Sequence, residues 1–328
     1  MPETKVKHKK AAAPTDWATT VQESQLDIAA LTSLGLKIQP KNCVLYTINP
    51  HNTLSLRGMF KGKHAFLVCG GPSLKELDLT QLNRRGIVTM GVNNSWIAHK
   101  PTLWCAVDPA MKFIDTGWKD ASIMKFFPIE RNVDKLHIRQ EDGTFKISTF
   151  AVNQMPNVWY YRRRDIFDHR TFLEWPSLTW GCDKKYIDST GWGGCRSVML
   201  PALRLLYYLG FKNVYIIGAD FSMKEQLPNK PAIDNYAWDQ FRQPSSVGSN
   251  NRTYASLNDR FAALDPVFKA ASYHVWNCTP GGNMNGFDRM EYSKALDRAS
   301  KECEKEVGTL GWYNHKFDKE GKTVFITK

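Results

Sequence analysis

The chain has 328 residues, of which 42% are hydrophobic and 12% aromatic, a composition that excludes a disordered protein and suits one or two globular domains. Its formal net charge of +12 favours an anionic partner such as a nucleotide, a nucleic acid or an acidic glycan, the alternative being a solvated basic surface without a partner. No apolar stretch reaches the roughly 18 residues needed to span a bilayer, and no signal peptide is recognisable, so we expect a cytoplasmic protein with no membrane partner.

Residues 1–40 are predicted to be a basic tail followed by one helix near residues 21–34. Residues 41–310 then form the main domain, and residues 311–328 form a C-terminal tail. The seven cysteines are an odd number and include no C-x-x-C pair, and several lie in apolar runs (Cys69, Cys105 and Cys278). We interpret them as buried thiols rather than as disulfides or metal ligands.

From residue 64 onwards, strand-like and helix-like segments alternate. Strands are predicted at 65–69, 87–91, 103–107, 213–218 and 273–278, and helices at 73–82, 197–209, 257–271 and 288–307. This alternation predicts an α/β fold with a doubly wound, mostly parallel, Rossmann-like sheet.

Two stretches interrupt the alternation. Residues 110–190 form a long insertion rich in aromatic residues and arginine, and residues 222–256 are polar and rich in turn-forming residues. The second stretch follows the end of a predicted strand, so we interpret it as a lid over a ligand.

The segment Gly70-Gly71-Pro72-Ser73 follows the first apolar strand and precedes a predicted helix. Two glycines allow a tight turn or the close approach of a ligand, and Pro72 and Ser73 suit a first helical turn, where free N–H groups attract anions. This pattern predicts a nucleotide phosphate pocket; an ordinary βα turn is the alternative.

Further polar loops are expected at the same edge of the sheet. Asn93 could bond a base or ribose or make an Asx turn, and Asp108 could hold a ribose hydroxyl or a metal or cap a turn. Arg196 and Ser197 precede an apolar helix and predict a second anion site. The loop around Gly281 could close over a base or be a plain turn.

The sequence contains neither G-x-x-x-x-G-K-[ST] nor H-E-x-x-H nor G-x-S-x-G, and no metal site is predicted from the histidines.

The blocks at 68–74 and 209–221, together with Asn93, resemble one superfamily. It contains the bacterial sialyltransferases that use CMP-sialic acid and the proteins similar to the archaeal hydroxymethylpterin pyrophosphokinase, and phage genomes carry many members. The resemblance covers roughly residues 64–300. It implies a glycosyltransferase of the GT-A type with a nucleotide-sugar donor and no required cofactor, Mg²⁺ dependence being left open.

The resemblance also implies residue roles. The nucleotide would be bound by Gly70, Gly71, Ser73, Asn93, Arg196, Ser197, Thr279, Gly281 and Gly282. Tyr254, with Tyr236 as the second choice, would hold the leaving phosphate beside Arg196. The sialyltransferases have a histidine base at the end of the lid, but this sequence has none there, so Asp259 becomes the candidate base, with a structural role as the alternative. Asp108 stands where those enzymes have asparagine, which suggests a different donor.

The acceptor is predicted separately. Arginines beside aromatic residues suit phosphate contacts and an everted base, so Arg162, Arg163 and Arg164 predict a hydroxylated pyrimidine in DNA as the acceptor. A strand with one solvated face is the alternative.

Two other functions stay open: an ATP- and Mg²⁺-dependent pyrophosphokinase with Asp108 and Asp220 on the metal, and a non-catalytic nucleotide- or nucleic-acid-binding protein.

Overall fold

The computed structural model describes residues 37–38, 45–47, 56–84, 86–141, 143–181, 196–225, 235–238, 247–302, 314–317 and 323–326. In chain order the strands are β1 (Lys37–Ile38), β2 (Leu45–Thr47), β3 (His64–Val68), β4 (Val88–Val92), β5 (Leu103–Cys105), β6 (Met124–Pro128), β7 (Lys135–Arg139), β8 (Phe145–Ala151), β9 (Val158–Tyr161), β10 (Arg163–Arg164), β11 (Leu178–Thr179), β12 (Asn213–Ile217), β13 (His274–Asn277), β14 (Asn314–Phe317) and β15 (Thr323–Ile326). The α-helices are α1 (Asp115–Lys119), α2 (Met199–Leu209), α3 (Val247–Ala270) and α4 (Tyr292–Glu302). Short 3-10 helices span Pro72–Glu76, Leu79–Asn83, Asn93–Ile97, Ala110–Lys112, Ile129–Arg131 and Val152–Gln154.

Nine strands form one sheet in the order β1-β2-β9-β6-β5-β4-β3-β12-β13. The seven strands from β9 to β13 are all parallel, whereas β1 and β2 are added antiparallel at one edge. The strand order reverses between β3 and β12, because the chain adds strands on one side of β3 first and on the other side later. The fold is a Rossmann-like α/β fold, as predicted, and this reversal is its topological switch point.

Hydrophobic cores cover both faces of the sheet. On β3, Ala65 and Leu67 face the core that contains α2 and α3, while Phe66 and Val68 face the core under α4. A third cluster around Trp118 of α1 covers that second face beneath β5, β6 and β9. Strands buried on both faces read as continuous apolar runs, which is why the sequence revealed the central ones.

The five predicted strands are confirmed with shifts of one to two residues at most of their ends. The predicted helix at 73–82 is wrong, because two 3-10 turns replace it. The chain is extended at Leu77, and the Asp78 side chain accepts hydrogen bonds from the N–H and the hydroxyl of Thr80, which competes with a continuous helix. Conversely, α3 begins at Val247, ten residues earlier than predicted.

The 110–190 insertion contains two strands of the main sheet that the sequence did not predict, β6 and β9. Trp159, Tyr160 and Tyr161 of β9 are buried in the sheet rather than on a solvated strand. The insertion also supplies the antiparallel hairpin β7–β8. Ile147 and Phe150 of this hairpin are exposed.

Some predictions fall outside the described residues. The helix near 21–34 is one of them, and so are residues 226–234 and 239–246 of the predicted lid. Residues 247–256 of that stretch are the first turns of α3. None of the described helices is both long and apolar enough to cross a membrane.

Candidate functional site

A cavity of about 630 Å³ opens at the carboxyl ends of the parallel strands, beside the switch point. The loops that follow β3, β4, β5 and β12 line it, as do residues just before α2 and the first turns of α3. Ligands of open α/β sheets bind at this position because the diverging loops leave a crevice there. Of the predicted site residues, the cavity is lined by Gly70, Gly71, Asn93, Asp108, Arg196, Ser197 and Tyr254.

Asp220, which follows β12, holds the Gly-Gly-Pro-Ser loop. Its carboxylate accepts hydrogen bonds from the Ser73 N–H at 3.2 Å and from the Ser73 hydroxyl at 2.8 Å. The Gly71 N–H donates to the Gly218 carbonyl at 2.7 Å, and a Cβ built on Gly71 would overlap the Asp220 carboxylate. Burial raises the pKa of Asp220, and the hydrogen bonds from Ser73 oppose that rise. A ligand phosphate would therefore compete with Asp220 for the donors of this loop.

Asn93 and Asn94 present unsatisfied acceptors at the cavity. Asn93 has a φ of +52°, a left-handed conformation that asparagine tolerates better than most residues. Among the described residues, the Oδ1 atoms of both asparagines are buried without a hydrogen-bond partner. Native structures rarely leave such atoms unpaired, and a ligand in the cavity would reach either oxygen only after its side chain turns towards it.

Asp108 lies beyond β5 and forms an ion pair with Lys112 at 3.1 Å. Asn94 Nδ2 donates to the Lys112 carbonyl at 3.1 Å, so the loops after β4 and β5 are tied together. Both side chains of the ion pair line the cavity and stay partly exposed. They place one negative and one positive group at the end of the cavity that is distant from β12.

Arg196 and Ser197 stand at the start of α2. The Met199 N–H donates to the Ser197 hydroxyl at 3.1 Å, just before the first turn of this 11-residue helix. The Arg196 guanidinium lies over the Trp180 indole, 5.2 Å from its centre, and in the described part of the chain no carboxylate pairs with it. A cation and a helix N-terminus together favour an anion here.

Aromatic side chains cover the switch-point end of the cavity. Tyr254 of α3 stacks on Phe221 with ring centres 4.9 Å apart, and burial raises the pKa of the Tyr254 hydroxyl. Ala237 N–H donates to the Gly70 carbonyl at 3.1 Å, which brings Tyr236 and Trp238 over the glycine loop. Ala237 and Trp238 of the predicted lid thus lie against Gly70.

The remaining predicted residues lie outside this cavity. Asp259 is on α3, but the cavity faces Asn250, Thr253, Tyr254 and Leu257 of that helix, and position 259 belongs to another face. Thr279 is buried, and its hydroxyl accepts the Ala219 N–H at 3.0 Å, joining the ends of β12 and β13.

The two glycines of the loop after β13 also lie elsewhere. The Gly281 carbonyl accepts a hydrogen bond from Arg289 at 2.9 Å. Gly282 packs on the Asp220 backbone and lines a separate groove with Asn283 and Arg289. The nucleotide roles of Thr279, Gly281 and Gly282 stay predictions.

The three arginines predicted to bind DNA have different surroundings. Arg164 is buried, with its guanidinium 4.0 Å from the centre of the Trp175 ring. The Arg163 guanidinium lies 4.5 Å from the centre of the Trp180 indole, and its Nε is 3.9 Å from Glu130 Oε2. Arg196 contacts the same indole. Arg162 is half-buried and lies outside the cavity lining.

Within the described ranges, no group of three or more His, Cys, Asp or Glu residues could hold a metal ion. Cys69, Cys105 and Cys278 are buried free thiols, as predicted, and burial raises the pKa of each.

Sequence reasoning missed Lys112, Trp180 and Trp238 as cavity residues and missed the contact between Ser73 and Asp220. Asp220 was predicted at the site only as a metal ligand of the pyrophosphokinase alternative, and no local pattern signals its contact with Ser73, 147 positions away. Trp180 and Trp238 stand in irregular segments, where no periodicity indicates their direction. Comparison of the chain with protein-family models, curated proteins and solved structures finds no significant match.

Proposed function

We propose that this chain is a glycosyltransferase that moves a sugar from a nucleotide-sugar donor to a hydroxyl acceptor. The observation that carries the proposal is Arg196, which lines the switch-point cavity beside the N-terminus of α2 with no carboxylate partner in the described residues. An exposed cation at the cavity, with no counter-ion in the described residues, suits the phosphates of a nucleotide donor. Asn93 and Asn94 line the same cavity, and their side-chain amides can turn to a ribose or base.

The chemistry requires charge stabilisation on the departing phosphate. When the acceptor oxygen attacks the anomeric carbon, the bond from that carbon to the phosphate oxygen breaks and negative charge develops on the nucleotide. Arg196 would neutralise this charge, and the Tyr254 hydroxyl, which burial keeps protonated, would donate a hydrogen bond to it. The GT-A type and the phage relationship rest on the resemblance of the loops to the sialyltransferase superfamily.

A hydroxylated pyrimidine in DNA is one acceptor that fits the proposal. Arg163 is the member of the arginine cluster that supports it best, because it shares the Trp180 indole with Arg196 at the cavity wall. Arg164 supports it least, because its guanidinium is buried against Trp175.

The pyrophosphokinase alternative draws on the two carboxylates that line the cavity, Asp108 and Asp220. However, β5 and β12 are three strands apart, which is about 14 Å at the usual strand spacing. One metal ion needs its ligands within about 2–3 Å. Asp108 and Asp220 are therefore poorly placed to share an ion, and the glycosyltransferase proposal is preferred.

A donor screen tests the proposal. Wild-type protein is incubated with CMP-, UDP- and GDP-sugars and with ATP, each with Mg²⁺ and with EDTA, and the nucleotide products are separated by chromatography. We expect the wild type to release the nucleotide from one of the sugar donors. This activity should be lost in Arg196→Ala and kept in Arg170→Ala. Conversion of ATP to AMP would favour the pyrophosphokinase, and no turnover with stabilising nucleotide binding would favour a non-catalytic binder.

A further inference from the structure

The cavity has two chemically different ends. The end beside β12 is polar and holds the glycine loop, Asp220 and the aromatic cover of Tyr236 and Trp238. The opposite end is built by the segment from Asp108 to Ile114 and by Phe145 at the start of β8. If the donor nucleotide takes the switch-point end, this second end is left for the acceptor.

The side chains that line the second end are apolar, apart from the ion pair between Asp108 and Lys112. Met111, Ile114 and Phe145 line it, and Met111 is 39% exposed. Four large apolar side chains are strongly exposed in the described residues, and Met111 is the one among them that lines the cavity. Thioether and aromatic groups make favourable contacts with flat rings, whereas they offer nothing to sugar hydroxyls or phosphates.

The ion pair supplies the polar chemistry at this end. Of the carboxylates in the described ranges, Asp108 and Asp220 line the cavity. Both oxygens of Asp220 already accept hydrogen bonds from Ser73. Asp108 has Lys112 at 3.1 Å on one oxygen, Oδ2, and its side chain is 35% exposed. Asp108 is therefore the less engaged of the two cavity carboxylates, and it can accept the proton of a ligand hydroxyl without giving up a bond that holds the glycine loop.

We propose that this end is the acceptor subsite, that it takes a hydroxyl carried on an aromatic or heteroaromatic ring system, and that Asp108 is the general base. The inference rests on the proposed glycosyl transfer. The hydroxyl proton passes to Asp108, and the acceptor oxygen forms a bond to the anomeric carbon. The bond from that carbon to the phosphate oxygen breaks, and its electron pair leaves with the nucleotide. Asp108 then returns the proton to water. Lys112 positions the Asp108 carboxylate.

The ring preference is tested by binding, without any donor. Saturation-transfer NMR compares 4-nitrophenyl β-galactoside with methyl β-galactoside, which carry the same sugar hydroxyls and differ in the aryl group. We expect the aryl compound to bind at least fivefold more tightly, and Met111→Ser and Phe145→Ser each to reduce that preference. Phe150→Ser is the matched control, because Phe150 is exposed on the same hairpin and does not line the cavity. Equal binding of the two probes, no binding of either, or an unchanged preference in both cavity variants would overturn the subsite.

The role of Asp108 is tested with the donor found in the screen. Asp108→Asn should lower the transfer rate at least 100-fold while calorimetry shows nucleotide affinity within twofold of wild type; Asp168→Asn, outside the cavity, is the control. A parallel loss of nucleotide affinity would make Asp108 a donor-binding residue and overturn the base. If wild type turns over no sugar nucleotide, the proposed function fails, and the two galactosides still decide whether the ring-binding subsite exists.

Discussion

The Ser73 hydroxyl donates a hydrogen bond to Asp220 Oδ2 at 2.8 Å, although the two residues are 147 positions apart. The Ser73 N–H donates to the other oxygen of the same carboxylate at 3.2 Å. One side chain thereby fastens the loop after β3 to the end of β12 across the switch point. The positions of Gly70, Gly71 and Asp220 in the cavity lining therefore depend on this contact.

Replacing Ser73 by alanine should lower the free energy of unfolding. The change removes a hydrogen bond to a partly buried carboxylate, which is worth about 1–3 kcal/mol. Urea unfolding measures the loss, and Ser222→Ala, a serine of the cavity lining, is the control. Unchanged stability with weakened nucleotide binding would instead make Ser73 a direct ligand contact.

Gly282→Ala should destabilise the protein more than Gly281→Ala. Both glycines have positive φ, +73° and +60°, so both substitutions carry the strain of the left-handed region. A Cβ at 282 would lie 2.9 Å from the Asp220 carbonyl oxygen, whereas one at 281 would meet open space. Thermal unfolding of the two variants gives the comparison, and equal melting temperatures would contradict the close packing at Gly282.

Arg196→Ala should weaken nucleotide binding by about 1–3 kcal/mol, because a charge-assisted contact to phosphate is lost. Calorimetry with CMP, UDP and GDP measures the affinity, and Arg170→Ala, whose guanidinium is paired with Asp168, controls for loss of a positive charge. Identical affinities in the two variants would remove Arg196 from the anion site.

Lys125→Met should change how stability depends on pH. Lys125 is buried in β6, and its Nζ donates to the carbonyls of Asp120, Ile123 and Pro156. Burial lowers the pKa of Lys125 to about 7 from 10.5. Between these two values the unfolded chain binds more protons than the folded protein, so this lysine makes stability rise with pH.

The free energy of unfolding of the wild type, minus that of Lys125→Met, should therefore increase from about pH 7 towards pH 10. Urea titrations at several pH values measure the difference. A difference that does not vary with pH would mean that the three carbonyls keep the ammonium charged in the folded protein.

Charge reversal at Arg163 should weaken DNA binding if DNA is the acceptor, and reversal at Arg162 should do so less, because it is Arg163 that lies over Trp180 of the cavity lining. Arg164 is left unchanged because it is buried. Binding of duplex DNA is followed from low to high salt, since phosphate contacts release counter-ions and make affinity fall steeply. Absence of salt-sensitive binding at low ionic strength would exclude the DNA acceptor and leave the glycosyltransferase proposal in place.

Local sequence patterns were enough to predict the Rossmann-like class, the five central strands and the loops at their carboxyl ends. These features depend on local patterns: apolar runs mark strands buried on both faces, and Gly, Asn and Asp mark the turns after them. The sequence therefore also identified Gly70, Asn93, Asp108 and Arg196, which the fold brings to one cavity.

The folded chain was needed to show that β6 and β9 belong to the main sheet and that Asp259 lies off the cavity. The lysine in β6 reads as a surface residue, because the carbonyls that satisfy it, those of Asp120 and Ile123 just before the strand and that of Pro156 before β9, converge on it only in the folded sheet. The hydrogen bond from Ser73 to Asp220 and the contact of Arg196 with Trp180 likewise join residues from separate segments. Such pairings depend on which strands become neighbours, and local sequence patterns carry no information about that order.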